Sequence, residues 1–416
     1  VGVGAAPSNY VAVEQDDGGR WWFAHGGERF VSLGVNHTGN ALCGDSLSFA
    51  GKLGYAPYYN STQGRHGPNE TVWAEAAVGR LQDWGFNTLG GWSAVVAEEA
   101  GAGAGMYYAH LLDMGTTWLN HGKDGLDHDV FSDAFTAQAA AIAAKEVAPR
   151  ANDSQLLGWQ LDNELQWTHL NLVAFLSFAN QSSPGVGVAV NWLSARYNAS
   201  IDALNTAWNI TATSFADVHL HLLDAGIALA VVAADSEAFL VVSAAEYFRK
   251  CHDAIRAHDS FHLILGVRQC CYLPVEVQKA WVPYIDVIDY HEYSVLPNVT
   301  FLADLHTNGG GKPVYIGEFS FTAMDSQLPN TVGARANQAF VTQTQRAQAY
   351  AAYVQLLLAQ PFAIGYHWWQ WADEPATGRW PDGEDSNYGT VHVCDDPYGV
   401  LTAEFTRVNP TLHDLH

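Results

Sequence analysis

Positive charge is scarce in this chain. Nineteen Lys and Arg stand against 43 Asp and Glu, a formal charge of −24. Such a surface repels phosphate backbones and anionic lipid, which removes nucleic acid from the partner classes. Long hydrophobic runs are missing as well. Even Ala225 to Ala234 stops short of the ~18 apolar residues of a membrane span, so the reading is a soluble protein with no membrane partner. Five cysteines, Cys43, Cys251, Cys270, Cys271 and Cys394, are too few for a disulfide scaffold and too irregularly spaced for a zinc site. An odd count leaves at least one of them outside any internal bridge, and spacing assigns no pairs.

Apolar and aromatic residues are abundant. Hydrophobic residues make up 48% of 416, with 15 Trp, 18 Tyr and 18 Phe. That composition excludes disorder and supplies aromatics for a large core and for a ligand surface. Asn-x-Ser/Thr occurs at Asn36, Asn60, Asn69, Asn152, Asn180, Asn198, Asn209 and Asn298. Random placement would give roughly two, and the excess points to a eukaryotic secreted or lumenal glycoprotein. Asn36 is expected to stay bare, because it ends an apolar strand. The opening Val1-Gly-Val-Gly-Ala-Ala-Pro7 reads as a trimmed terminus.

The pattern along the chain alternates β with α. Arg20-Trp-Trp-Phe-Ala-His-Gly-Gly-Glu-Arg29 reads as a strand and Gly-Gly turn, so residues 1–30 are assigned to an N-terminal hairpin segment packed on the rest of the chain. Eight short apolar runs come next: Phe30 to Asn36, Phe86 to Trp92, Met106 to Asp113, Leu156 to Glu164, His262 to Arg268, Asp286 to Tyr293, Pro313 to Phe319 and Phe362 to Trp371. Helical periodicity separates them, including Asp133 to Val147, Asp235 to His258 and Arg335 to Leu358. Eight such units predict an α/β fold, a (β/α)8 TIM barrel over residues 31–416, built as one domain. About a hundred residues between the fourth and fifth strands, Trp192 to Trp208 among them, form a long helical insertion expected to wall the site.

Active groups of such a barrel lie where strands end. Glu164 closes the fourth run and Glu318 the seventh. A carboxylate at a strand end also serves as a helix cap, but two on one barrel face are what a retaining glycosidase needs. One is protonated by partial desolvation and donates to the leaving oxygen. The other is kept ionised by hydrogen bonds and attacks the anomeric carbon. Tyr290, His291 and Tyr293 on the sixth strand are placed to supply donors to Glu318, and Arg268 to orient a carboxylate. On period two, His367, Trp369 and Trp371 of the eighth strand share a face and offer hydrogen bonds and an indole platform to a sugar. The acids of Ala372 to Asp385 do not follow the order of a calcium loop, so a substrate-contacting loop is expected there and no metal or cofactor.

Several of these segments resemble a known family. Gly158-Trp-Gln-Leu-Asp-Asn-Glu164, Ile316-Gly-Glu-Phe319 with Ala323-Met-Asp325, and the block from His367 through Arg379 with Asp382-Gly-Glu384 and Asp396-Pro-Tyr398 look like the β-agarases of glycoside hydrolase family 50. Arg20-Trp-Trp and Ser32-Leu-Gly-Val-Asn36 are similar to theirs too. The resemblance implies retention, with the fourth-strand Glu as acid/base and the seventh-strand Glu as nucleophile. It also implies hydrolysis of β-1,4 galactosidic bonds in agarose. Departures concern the substrate. Ser320 stands where the family often has His, Trp369 and Trp371 stand where Phe and Tyr are common, and the carbohydrate-binding domain usual before the family's barrel has no counterpart in this sequence.

The sequence thus predicts a secreted retaining β-glycoside hydrolase with a carbohydrate substrate, catalytic Glu164 and Glu318, and Asn163 holding the hydroxyl beside the anomeric carbon. Asn36, His37, Trp92, Arg268, His291, Tyr293, His367, Trp369, Trp371, Asp373 and Glu384 complete the expected substrate-binding set. The rivals are the same mechanism on another β-galactan or β-glucan, and a catalytically inactive glycan-binding barrel.

Overall fold

The computed structural model describes residues 9–40, 57–115, 129–167, 170–178, 180–271, 273–331, 339–379 and 383–416. Cys43, Asp382 and the opening heptapeptide lie outside the described residues. The strands are β1 (Ala12–Gln15), β2 (Trp21–His25), β3 (Glu28–Phe30), β4 (Ser32–Val35), β5 (Thr88–Leu89), β6 (Tyr107–Leu111), β7 (Leu156–Gln160), β8 (Leu263–Gly266), β9 (Ile288–His291), β10 (Val314–Phe319), β11 (Thr322–Ala323), β12 (Ala339–Phe340) and β13 (Ala363–Trp368).

Eight of these form one parallel sheet in the order β8-β7-β6-β5-β4-β13-β10-β9. Its two outer strands meet beyond the end of β8. There Gln269 bridges Tyr290, with Gln269 N–H donating to Asp289 O at 3.1 Å and His291 N–H to Gln269 O at 2.7 Å. That seam closes the (β/α)8 barrel anticipated from the eight apolar runs. Barrel strands bury both faces, which is why β4, β7, β8, β9, β10 and β13 read as unbroken apolar runs and not as alternating ones.

Helices α1 (Pro57–His66), α2 (Glu70–Asp83), α3 (Val95–Gly103), α4 (Asp133–Ile142), α5 (Asn171–Leu176), α6 (Pro184–Arg196), α7 (Ile201–Trp208), α8 (Leu229–Arg256), α9 (Val275–Trp281), α10 (Val299–Asn308), α11 (Gln343–Leu358), α12 (Gly399–Val408) and α13 (Leu412–Leu415) are the α-helices among the described residues. Side-chain caps fix several starts. Ser132 Oγ accepts from Phe135 N, Ser200 Oγ from Ala203 N and Asn298 Oδ1 from Phe301 N, each satisfying one orphan donor of a first turn. Helices α5 to α8 make up the insertion between the fourth and fifth barrel strands. One sequence boundary moves: the helix expected from Arg335 begins at Gln343, because Ala339–Phe340 pairs instead with Thr322–Ala323 as a short strand, while residues 332–338 lie outside the described set.

Two apolar layers result. The larger lies between barrel and helices, and the smaller fills the barrel interior with Ala109, Leu157, Leu263, Leu265, Val287, Tyr315 and Ile364. Val11 and Phe23 of the β1 to β3 sheet join that inner layer, so the hairpin seals one end of the barrel with apolar side chains. Among the described residues no helix is long and apolar enough to cross a membrane, and Cys251, Cys270, Cys271 and Cys394 form no disulfide.

Candidate active site

With one end of the barrel plugged, the carboxyl ends of the strands form the open face. Four of the barrel strands run out into a non-glycine residue of positive φ: His37 after β4 (58°), Trp92 after β5 (65°), Glu164 after β7 (53°) and Arg268 after β8 (48°). Each costs about 1–3 kcal/mol and persists only because surrounding contacts fix it, a pattern concentrated at functional sites.

Glu318 at the end of β10 is the hub. Arg268 Nη2 donates to its Oε2 and the Tyr293 hydroxyl to its Oε1, each at 2.5 Å. Burial, then the charge of Glu318, pushes the Tyr293 phenol well above its usual range, so it is a neutral donor. Arg268 is wholly buried and also spends Nε on Asn163 Oδ1 (2.8 Å) and Nη1 on Asn36 Oδ1 (3.3 Å). Its guanidinium passes where a Cβ on Gly91 would stand 2.7 Å from Nη1. Below it Asp289, bonded by Gln160 Nε2 at 2.8 Å and by the Tyr315 hydroxyl, fits only because residue 317 is glycine; a Cβ there would lie 1.7 Å from Asp289 Oδ1. Burial raises the Asp289 carboxyl to about 6 despite the pull of Arg268.

Glu164 has a different setting. His291 Nδ1 lies 2.7 Å from its Oε1 and 3.4 Å from Glu318 Oε2, so the imidazole bridges the two acids. The Glu164 side chain is 29% exposed and that of Glu318 9%. One carboxylate oxygen of each, together with a His291 nitrogen, lie within 4.8 Å of one another; among the described residues this is the one group whose composition suits a metal ion.

The structure thus brings together Glu164, Glu318, Asn163, Arg268, His291 and Tyr293. Tyr290 is elsewhere, packed on Phe301. A second cluster forms on the other side of the mouth. His37 stacks on Trp369 (5.1 Å between rings, 19°), its Nδ1 is 2.7 Å from Gln370 Oε1, and Gln370 Nε2 donates to Glu374 Oε1 at 3.1 Å. Arg379 joins Glu374 (3.2 Å) to Glu384 (3.0 Å) and lies 5.5 Å over the Trp369 ring. Burial, then the neighbouring Glu384 charge, raises the Glu374 carboxyl well above the ordinary range. Gln370, Glu374 and Arg379 were not among the expected site residues. Their signal was the loop's excess of acids around a single Arg.

Four expected contacts require correction. Trp371 is fully buried against Trp84 and Trp73 and donates to the Tyr58 hydroxyl, because β13 ends at Trp368 and period-two alternation does not extend to it. His367 does face inward but is fully buried beneath the site, 3.0 Å from Ser32 Oγ, where burial holds its imidazole down at about 3. Asn36 is buried too, tied to Gly317 O at 2.8 Å, and positions Arg268. Asp373 holds the C-terminal loop through Asn387 Nδ2, Gly389 N and the Tyr398 hydroxyl. Trp369 is 5% exposed and stacks beneath His37 at the mouth, where the partly exposed rings are His37, Trp92 and Tyr293.

Comparison with known proteins gives the same fold. The chain is 29% identical over 399 residues to beta-agarase B of Vibrio sp. (strain JT0107), covering 91% of this chain and 40% of that protein. A solved agarase shares a TM-score of 0.83 at 23% identity, covering 98% of this chain and 66% of that one. A solved exo-beta-agarase shares a TM-score of 0.83 at 22% identity, covering 99% and 66%. The chain spans about two fifths of the length of the curated relatives it matches. A glycoside hydrolase 42 family model, described as beta-galactosidase, matches residues 119–374, a span that includes both Glu164 and Glu318. That match covers more than half of the sequence, and the chain belongs to the glycoside hydrolase 42 beta-galactosidase family.

Proposed function

We propose that this chain is a retaining β-galactoside hydrolase acting on an agarose-like β-1,4-galactan, a divergent relative of the family 50 agarases. The observation that carries the reading is the spacing of the two acids. One carboxylate oxygen of Glu164 lies within 4.8 Å of one of Glu318, a close approach that supports the ~5–5.5 Å separation of a retaining pair.

Roles follow from environment. Glu318, pinned through both oxygens by Arg268 and Tyr293, is set to attack the anomeric carbon and form the glycosyl-enzyme. Glu164, more open to solvent, protonates the departing oxygen and then takes a proton from the water that releases the sugar. His291 between them accommodates the exchange of charge. Asn163, oriented by Arg268, presents its amide to the hydroxyl beside the anomeric carbon. The scheme calls for no metal. Another β-galactan or a β-glucan would use the same groups, whereas an inactive glycan-binding barrel would not require both acids to be so arranged.

Secretion as a eukaryotic glycoprotein belongs to the same proposal. Seven of the eight acceptor asparagines are exposed, and the eighth, Asn36, is buried as expected of a bare one. Asn69 and Asn298 cap helices through Oδ1, which leaves Nδ2 for a glycan. The test is digestion of a panel of β-linked galactans and glucans, with proton NMR of the first-formed anomer. Release of β-configured product from agarose-type glycans is expected. An α first product would refute retention, and cleavage of glucans alone would refute the galactan assignment.

A further inference from the structure

Where the fifth barrel strand, β8, runs out, the chain carries two consecutive cysteines, Cys270 and Cys271. In an extended strand adjacent side chains point to opposite faces, and two sulfurs so placed do not meet. Here they do. Left-handed residues stand on either side of Gln269 and Cys270, Arg268 at φ 48° and Cys271 at φ 61°, and the turn between them brings the two Sγ atoms to 2.6 Å. Unbonded heavy atoms settle at ~3.5–4.0 Å, so this pair is held closer than ordinary contact.

The pair sits beside the Glu164 side of the cleft. Glu164 N–H donates to Arg268 O at 3.2 Å, Gln269 Nε2 to Leu165 O at 3.1 Å, and Trp167 Nε1 to Gln269 Oε1 at 2.8 Å. These bonds stitch residues 164–167 to residues 268–270. Gln269 Nε2 also donates to Cys270 O at 2.7 Å, which fixes the turn. Cys270 is buried and Cys271 is exposed. Its bond with Cys271, then burial, then the charge of Glu164 and a hydrogen bond to it push the Cys270 thiol well above its ordinary range. In the dithiol chain it is therefore a neutral S–H next to that carboxylate.

From this geometry we propose that Cys270 and Cys271 are a redox modification site: they close to a vicinal disulfide, and the bond governs how well Glu164 gives up its proton. The second half rests on the reading of Glu164 as acid/base. The oxidant is a low-molecular-weight disulfide, RSSR. The exposed Cys271, as thiolate, attacks one of its sulfurs and expels RS⁻, which takes up the proton Cys271 released. Cys270 then attacks the Cys271 sulfur of the mixed disulfide, and the second RS⁻ leaves with the Cys270 proton. Two cysteine thiols are oxidised and RSSR is reduced to two RSH. Consecutive Cα atoms are ~3.8 Å apart, short of the ~4.4–6.8 Å usual for a disulfide, so the bond is one that thiols readily reopen. An S–H donating to a carboxylate favours its charged form, and a disulfide has no S–H to give. Closing the bond leaves Glu164 freer to hold its proton for the leaving oxygen.

The test has a chemical and a kinetic arm. The whole chain is incubated with oxidised glutathione or with dithiothreitol, quenched with iodoacetamide, digested and mapped by mass. After oxidation the peptide holding both residues should lose two hydrogens and take up no alkyl group; after reduction it should take up two. Two alkyl groups in both samples, a glutathione adduct that persists on Cys271, or a bridge from either residue to Cys43, Cys251 or Cys394 overturns the proposal. The kinetic arm compares kcat/KM of the two forms on aryl β-galactosides, one whose leaving group requires protonation and one whose leaving group does not. The oxidised form should be about three- to tenfold faster on the first and little changed on the second. C271S should show neither the disulfide nor the response, and the comparison of the two wild-type forms stands without it. Equal rates in both forms, or a change of equal size on both substrates, overturn the control of Glu164. A disulfide that forms in a chain turning over neither substrate sinks the hydrolytic reading and leaves the modification site standing.

Discussion

Replacing Tyr293 by Phe removes one oxygen and nothing else. The phenol is the sole group donating to Oε1 of Glu318 among the hydrogen bonds described, at 2.5 Å, while Arg268 serves Oε2 at the same distance. Hydrogen bonds to a charged group contribute about 1.5–3 kcal/mol, more than the ~1 kcal/mol of neutral pairs. If that bond holds the nucleophile ionised and aimed, its loss should lower kcat/KM by about 10- to 150-fold. The second anchor to Arg268 should keep the variant above the floor set by Glu318→Gln. The assay is steady-state hydrolysis of an activated aryl β-galactoside, where protonation of the leaving group is not required and the attack of Glu318 is isolated. KM should change little, because the bond is made to the enzyme's own carboxylate and not to substrate. A folded Y293F within threefold of wild type would show that Glu318 does not rely on this donor. A rise in KM at constant kcat would place Tyr293 on the sugar instead.

Glu318→Gln should abolish turnover of every substrate, whereas Glu164→Ala should still form glycosyl-enzyme from activated substrates and be rescued by azide with a β-azide product; azide rescue of Glu318→Ala giving an α-azide would reverse the roles. Trp92→Ala should raise KM roughly three- to tenfold with kcat less affected, since a partly exposed ring at the mouth is placed to stack on sugar; a change in kcat alone would contradict this. Burial raises the carboxyls of Asp289 and Asp373 to about 6 and of Asp113 to about 8 from an ordinary value near 4. The folded chain thus holds protons that the unfolded chain has released, so stability falls as pH rises through those windows; His367, held at about 3, opposes this only up to its ordinary value. Denaturant midpoints should be higher near about pH 5 than near about pH 7, and the reverse order would count against these groups being buried as acids.

The barrel was legible because its strands are buried on both faces, so each appeared as an apolar run bounded by polar residues. Glu164, Glu318 and Arg268 were legible for a related reason: a charge that closes such a run has nowhere to go but the open face. Errors arose where tertiary packing overrides local pattern. Trp371 sits past the end of β13, where side-chain alternation no longer holds, and its indole found Trp84 and Trp73 from α2 and its C-terminal turn. His367 did point inward as its parity required, but parity does not give depth along the barrel axis, and it lies fully buried against Ser32. Trp369 is covered by His37, a contact between residues more than three hundred positions apart. The Gln370, Glu374, Arg379 and Glu384 network depends on how one loop folds back on itself, and no periodicity encodes that.

The shortage of cations, first visible as a net charge, has its sharpest effect in the cleft. Arg268 is the one described cation in contact with the catalytic pair, and Glu318, Asp289, Glu164 and Asp113 all lie in its field. One guanidinium cannot offset four carboxylates at low dielectric, because each additional buried charge carries its own desolvation cost. The chain resolves this by assignment. Arg268 gives its short bond to Glu318, the acid proposed as nucleophile. Asp289 is supplied with neutral donors from Gln160 and Tyr315, and Asp113 is left to hold a proton. Adding a second cation beside Asp113 would stabilise its charged form but would also compete for Glu318 and weaken its attack. A cleft poor in positive charge therefore concentrates its one buried cation on Glu318, the proposed nucleophile, while burial leaves Asp113 to hold a proton.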